Sequence, residues 1–204
     1  MGKTIKYLIL LGFLTLSIGS ASAKKLTRHD CLYKKNTICR KLVTLKKDMD
    51  HKVAYKLSNK FYKAAKKFKL NPDLLISIAF QESGFDPQIV RESTGLSLDE
   101  ETLKYKEVSI GSDFCLMQIN IQNIKKMKLD VDKLLNNPTY CLKAGATILS
   151  QIKKKYSEDE EFWWTRYNAR HELKREIYYN HVSRHLDKLE EYNYDQNQRS
   201  MASE

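Results

Sequence analysis

NPDLLISIAFQESGFDP, residues 71–87, contains a helix together with both of its ends. Asn71 is suited to the N-cap, Pro72 to the first helical position and Asp73 to the positive end of the dipole. Gly84 is suited to stopping the helix, and Pro87 forbids its continuation. Between these ends Leu75, Ile78, Ala79 and Glu82 fall at i, i+3, i+4 and i+7, so a carboxylate shares the apolar stripe. Glu82 also sits in the last turn, where the dipole's negative end disfavours an anion. Burial and dipole both favour the protonated form and predict a raised pKa. An acid that holds its proton near neutral pH is what protonation of a glycosidic oxygen requires. The competing reading is a frayed last turn with Glu82 in water.

Outward from this helix the pattern stays mostly helical. From about Arg40 to Phe68, Val53, Leu57, Phe61, Ala64, Ala65 and Phe68 recur at three-to-four spacing, with lysines on the other face read as solvated. Residues 88–113 lack helical periodicity and predict loops, with short strands near Val108–Ile110 and Leu116–Ile119. Asn137-Pro138 opens a further helix with Cys141, Gly145, Ile148, Leu149 and Ile152 on one face, and Gly145 and Ala146 admit a close neighbour. Ser157-x-x-Glu160 reads as a capping box ahead of Phe162, Trp163 and Trp164. The two tryptophans could stack on sugar rings, but beside Tyr167 they read as core. A helix over about Glu172–Glu190 carries Ile177, Tyr178, Val182 and Leu186, and 191–204 reads as a polar, frayed tail. His181 and His185 share a helix face, yet a solvated pair is favoured over a metal site, and no metal or cofactor is expected. The fold expected is a mainly α single domain with one small irregular or β insertion. The expected division is a basic extension and helix at 24–60, a catalytic domain at 61–190 and the tail.

The chain has 204 residues, 42% of them apolar and 30% charged, with 12 Tyr, 7 Phe and 2 Trp, which excludes intrinsic disorder and collagen-like classes. Lys3 and Lys6 precede an apolar run, Tyr7–Ile18, that is short for a bilayer span, and Ala21-x-Ala23 follows. Residues 1–23 therefore read as a cleaved secretory signal rather than an anchor, and no integral span is expected afterwards. No Cys follows Ala23 to receive a lipid. The chain has a net charge of +11, and removal of residues 1–23 with Lys3 and Lys6 leaves +9, so the exported protein is attracted to polyanions outside the cytoplasm: anionic lipid, lipopolysaccharide, teichoic acid or cell-wall carboxylates. Nucleic acid is excluded by compartment. Cys31, Cys39, Cys115 and Cys141 make an even set suited to up to two disulfides in an oxidising space. Cys31 and Cys39 could close a short loop, and three pairings remain open.

The run 72–87, ending in Glu82-Ser83, resembles the opening motif of the soluble lytic transglycosylases, a family similar in fold to goose-type lysozyme. Ser112-Asp113-Phe114-Cys115-Leu116-Met117-Gln118-Ile119-Asn120 resembles the second motif, Gly-Leu-Met-Gln-Ile. Its Ser-Asp and trailing Asn120 are similar to small members that accompany secretion systems. Asn137-Pro138 with Gly145-Ala146-x-Ile148-Leu149, then Tyr167-Asn168, then Tyr178 with Val182, resemble the remaining three motifs in family order. The resemblance implies a lysozyme-like, mainly α (α+β) fold. It implies cleavage of the β-1,4 bond between N-acetylmuramic acid and N-acetylglucosamine in peptidoglycan. Glu82 would be the sole acid/base, with Ser83, Met117, Gln118, Asn120, Tyr167, Asn168 and Tyr178 lining or ordering the groove. Tyr178 is the first choice to hold the acid and Tyr167 the second. Such enzymes need no second carboxylate and yield 1,6-anhydro ends. A muramidase would activate water instead, with Asp113 or Asp86 as the nearest candidates, although a loop-capping side chain and a turn carboxylate are the plainer readings. A wall-binding protein with a degenerate site is the third reading. A monomer in the periplasm or medium is expected.

One position departs from the family pattern. Cys115 stands where glycine precedes Leu-Met-Gln, a place that implies positive φ or close backbone approach. A disulfide could tie the segment down, with Cys141 as one possible partner. The sugar subsite and the preferred acetylation state are left open by this change, and by the insertion at 88–111 with Glu92, Asp99, Glu100 and Glu101.

Overall fold

The computed structural model of the chain describes residues 31, 36–99, 101–168 and 172–201, leaving aside the side chains of 93–97, 105–108, 110, 199 and 200. The expected signal segment lies outside the described residues, as does most of 24–35. Helices α1 (Thr37–Leu45), α2 (His51–Phe68) and α3 (Pro72–Ser83) come first. Strands β1 (Val90–Asp99), β2 (Lys104–Phe114) and β3 (Ile119–Asn120) form one antiparallel sheet in that order. Then come α4 (Ile121–Met127), α5 (Val131–Asn136), α6 (Pro138–Tyr156), a 3-10 turn at Trp163–Tyr167, and α7 (Glu172–Met201). The mainly α fold with a small β insertion is as expected.

The central helix α3 begins and ends where its sequence dictates. Asn71 accepts a hydrogen bond from the Asp73 amide at 2.8 Å, and Gly84 closes the helix at φ +60°. Leu75, Ile76, Ile78 and Ala79 are fully buried, at about 1.5–3 kcal/mol for each of the three larger side chains. Helix α1 fastens both ends. Lys41 Nζ lies 2.7 Å from Asp73 Oδ1, and Lys46 Nζ donates to the Gly84 carbonyl at 3.0 Å. These two lysines of the basic extension are therefore structural. One apolar cluster runs from Cys31 to Leu189, so the extension shares the core of the rest, and the boundary expected at 60/61 falls inside α2.

Several local expectations are corrected. The single helix over Arg40–Phe68 is two, because Asp50 caps a new start by accepting from the amides of Lys52 and Val53. The loops expected over 88–113 are a long hairpin, paired from Val90↔Phe114 to Asp99↔Lys104 with a bulge at Ser93/Thr94. Asp99 turns its tip by accepting from the amides of Glu101 and Thr102. Cross-strand backbone bonds, which leave no helical period, hold this segment. Leu116–Ile119 is a buried turn leading into β3 rather than a strand. Ser157 is the C-cap of α6, not the start of a capping box, since α6 runs on to Tyr156. Glu160 instead accepts from Arg166 and Arg175. The tail expected to fray is helical to Met201, with Asn193 Nδ2 3.5 Å from Asp73 and Arg40 donating to Gln196 at 3.2 Å. The disulfides are Cys31–Cys39 and Cys115–Cys141.

Candidate active site

Glu82 stands in the last turn of α3 and is 7% exposed. The Tyr178 hydroxyl donates to Glu82 Oε1 at 2.6 Å, and the Asn168 side chain also hydrogen-bonds to the carboxyl. Burial pushes the carboxyl up from 4.5 to about 7, against the Tyr178 hydrogen bond, with the Asp113 charge adding to the rise and Arg91 and Asn168 opposing it. The apolar stripe thus does bury the acid, and the frayed alternative is absent. Tyr178 reaches it from α7 because Tyr178 and Val182 are buried on the face of that helix that packs on α3.

The turn at 115–118 carries the second group of residues. Cys115 adopts φ +64° and Gln118 φ +47°. A cysteine holds this left-handed position, a backbone that favours glycine, and its bond to Cys141 anchors the turn on α6. Gly145 lets that approach happen, because a Cβ there would meet Met117 Cβ at 2.8 Å. Met117 is fully buried. Its amide donates to Cys141 Sγ at 3.3 Å, and its carbonyl accepts from the Tyr167 hydroxyl at 2.9 Å. Ser83 Oγ lies 2.9 Å from the Leu116 carbonyl and 3.1 Å from that of Ala79, bracing the turn against α3. Gln118 donates to the Cys115 carbonyl at 2.9 Å. Ser83, Met117 and Gln118 are therefore buried supports, whereas Asn168 is exposed at the acid. Burial and the nearby Glu82 push both tyrosine hydroxyls well above their ordinary value, so each keeps its proton to donate.

The two further carboxylates part company. Asp113 accepts from Asn120 Nδ2 at 2.8 Å and acts on Glu82 through space. Asp86 is exposed and accepts from the Gln88 amide at 2.9 Å, a turn role. Arg91 was missed by the sequence reading. It stands opposite Asp113 in the β1–β2 ladder, and its charge favours the ionised form of Glu82. Only the strand register reveals it. Trp164 is buried against Tyr178 and Tyr179, as core. His181 and His185 both engage Gln81, at 3.3 and 3.2 Å, and among the described residues no His, Cys, Asp or Glu cluster could hold a metal. A cavity of about 590 Å³ beside Phe162, Arg175 and Tyr179 contains none of the groups around Glu82, and its Glu160 is already paired.

A buried carboxylic acid in a mainly α frame, with a tyrosine hydroxyl on one oxygen, holds its proton in the way that protonation of a glycosidic oxygen requires. The transglycosylase SLT domain family matches residues 59–194, and the chain belongs to it: an enzyme family of peptidoglycan lytic transglycosylases. No curated protein and no solved structure matches the chain. The matched span opens within α2 and closes within α7, so it takes in Glu82, the 115–118 turn, Tyr167 and Tyr178. Action on peptidoglycan places the protein outside the cytoplasm, where two disulfides persist. Among the described residues no helix is long and apolar enough to cross a membrane.

Proposed function

We propose that Glu82 is the acid/base of a lytic transglycosylase that cleaves the β-1,4 bond after N-acetylmuramic acid and leaves a 1,6-anhydro end. The observation that supports it most is a carboxyl buried to about pKa 7 with a tyrosine hydroxyl on Oε1. That hydrogen bond leaves Oε2 to carry the proton toward the bridging oxygen. As the bond to the leaving sugar breaks, positive charge develops at the anomeric carbon, and the substrate's own acetamido oxygen can assist there. The same donors, Tyr178 and Asn168, favour the carboxylate as it forms. Glu82 then takes the proton of the C6 hydroxyl, the ring closes and no water is consumed. Tyr167 orders the 117–118 backbone beside the sugar, and Ser83, Met117, Gln118 and Asn120 hold the groove's shape from behind. The protein reaches the periplasm or medium through residues 1–23 and acts as a monomer.

A muramidase is the second reading, favoured by Asp113. Its charge acts on Glu82, and Asn120 fixes its orientation, as a water-activating carboxylate requires. Mass analysis of products from purified sacculi decides between them. Products lighter by one water than hydrolytic fragments support the first reading, and hydrated reducing ends overturn it. Running the same digestion on acetylated and deacetylated glycan tests the subsite around Cys115. Release of no fragment at all would favour a wall-binding protein.

A further inference from the structure

The lysines of α2 and α6 form a surface that catalysis does not use. Helix α2 carries Lys52, Lys56, Lys60, Lys63, Lys66 and Lys67, and α6 carries Lys143, Lys153, Lys154 and Lys155; neither helix has an Asp or Glu. The two helices pack together. Lys60 Nζ donates to Thr139 Oγ1 at 2.9 Å and Lys153 Nζ to the Lys69 carbonyl at 3.1 Å, which fastens α6 to α2 near both ends of α6. Phe61 of α2 points inward, with its ring 5.9 Å from that of Phe85, just past the C-cap of α3. Lys52, Lys56, Lys63 and Lys66 lie about 140–220° round the helix from Phe61 and are exposed. On α6, Gly145 faces Met117 and the site, and Lys143 and Lys154 lie about 180–200° round from it, also exposed. The cationic ridge therefore faces away from the groove side. Acidic residues collect elsewhere, as Asp187, Glu190, Glu191 and Asp195 on α7.

We propose that this ridge docks the enzyme on an anionic phospholipid surface, with the Glu82 side left open to the wall. Six exposed lysines, on two helices that carry no carboxylate, complement a sheet of phosphate headgroups. Lipid rather than a hydrated phosphate polymer is the occupant because Val53 and Tyr62, 53% and 54% exposed, flank the ridge on its two sides. An aliphatic and an aromatic side chain beside lysines enter a headgroup boundary, and an anionic polymer in water offers no such boundary. Lysine stems can lie along that boundary with their ammonium groups at the phosphates.

The test is sedimentation of the exported protein with vesicles of phosphatidylglycerol and phosphatidylethanolamine, against phosphatidylcholine vesicles. Binding to the anionic vesicles alone, weakened by salt, is expected. Replacing Lys52, Lys56, Lys63 and Lys66 by Gln should lower affinity on the order of a hundredfold. The charge-matched replacement of Lys125, Lys126, Lys174 and Lys188 by Gln should change it by no more than about threefold. Turnover of soluble glycan fragments by the ridge variant should stay unchanged, which shows that the variant folds and separates this test from that of the catalytic reading. Equal losses in the two quadruple variants reduce the effect to net charge and overturn the proposal. Retained vesicle binding by the ridge variant overturns it too, as does capture of soluble teichoic acid without vesicle binding.

Discussion

Asp73 and Glu82 are carboxylates of one helix, placed in its first and last turns. At Asp73 the dipole is favourable, the Lys41 ammonium lies 2.7 Å away and Asn193 adds its amide. At Glu82 the dipole is unfavourable, and among the described residues no ion pair reaches the carboxyl. A phenol and an amide meet it instead. Both acids are drawn out of water, and burial leaves Glu82 with a proton to give. A helix of twelve residues can thus hold an ion-paired carboxylate at one end and a buried carboxyl of raised pKa at the other. The first has a cation beside it, and the second has burial with hydrogen bonds alone.

The sharpest way to break this comparison is Glu82→Gln. Cleavage of sacculi should fall by at least about a thousandfold while the fold remains. The same change should stabilise the protein. With the folded pKa at about 7 and the ordinary value at 4.5, the folded chain keeps a proton that the unfolded chain has released between those values. Stability therefore falls as pH rises from 4.5 to about 7 and levels off above. The glutamine variant escapes this loss, so its advantage in denaturant melts should be near zero at about pH 4 and about 3 kcal/mol at about pH 8. A constant advantage would show that burial does not set the proton's affinity. The mirror experiment is Lys41→Met, which leaves Asp73 partly buried without its cation. It should cost about 3 kcal/mol in unfolding free energy and leave the pH dependence of kcat/KM unmoved.

Tyr178→Phe probes the hydrogen bond alone. Wild-type kcat/KM should decline as pH rises through about 7, because the protonated acid is the active form. Tyr178 favours the ionised form, so its loss should shift that limb to higher pH and lower kcat about thirtyfold, near 2 kcal/mol. A shift to lower pH would mean that the phenol instead holds the proton in place.

What could be read in advance followed local rules. The ends of α3 are written in Asn71, Pro72 and Gly84, and the inward face of Glu82 follows from a period of 3.6 residues. Tyr178 and Tyr167 follow from family order; the Tyr178 hydroxyl meets Glu82, and the Tyr167 hydroxyl meets the Met117 carbonyl instead. The hairpin was hidden because its stability lies in pairing between Val90–Asp99 and Lys104–Phe114, and no single strand announces its partner. Arg91 was hidden for the same reason. The tail past Glu190 looked polar because its contacts are polar: Asn193 meets Asp73 and Gln196 meets Arg40, and neither leaves an apolar period. Ser83, Met117 and Gln118 lie buried in and against the turn beside Glu82, and sequence could not tell a side chain in the groove from one behind it.

The smallest predicted effect concerns the turn that braces the Glu82 end. Cys115 pairs its left-handed backbone, φ +64°, with a disulfide to Cys141 that closes a loop over a sequence separation of 26. In a background of Cys141→Ala the covalent anchor is gone, and only the backbone preference at 115 remains to be measured. Glycine adopts positive φ freely, whereas alanine pays a steric penalty between its Cβ and the following carbonyl. Cys115→Gly should therefore be more stable than Cys115→Ala by about 1 kcal/mol in this background, despite glycine's larger entropy in the unfolded chain. The gap should also appear in catalysis, since Ser83 Oγ meets the Leu116 carbonyl in this same turn. Equal stabilities would mean that the turn relaxes out of the left-handed region once the disulfide is cut, so that the cysteine pair, and not the family's backbone shape, sets the geometry beside Glu82.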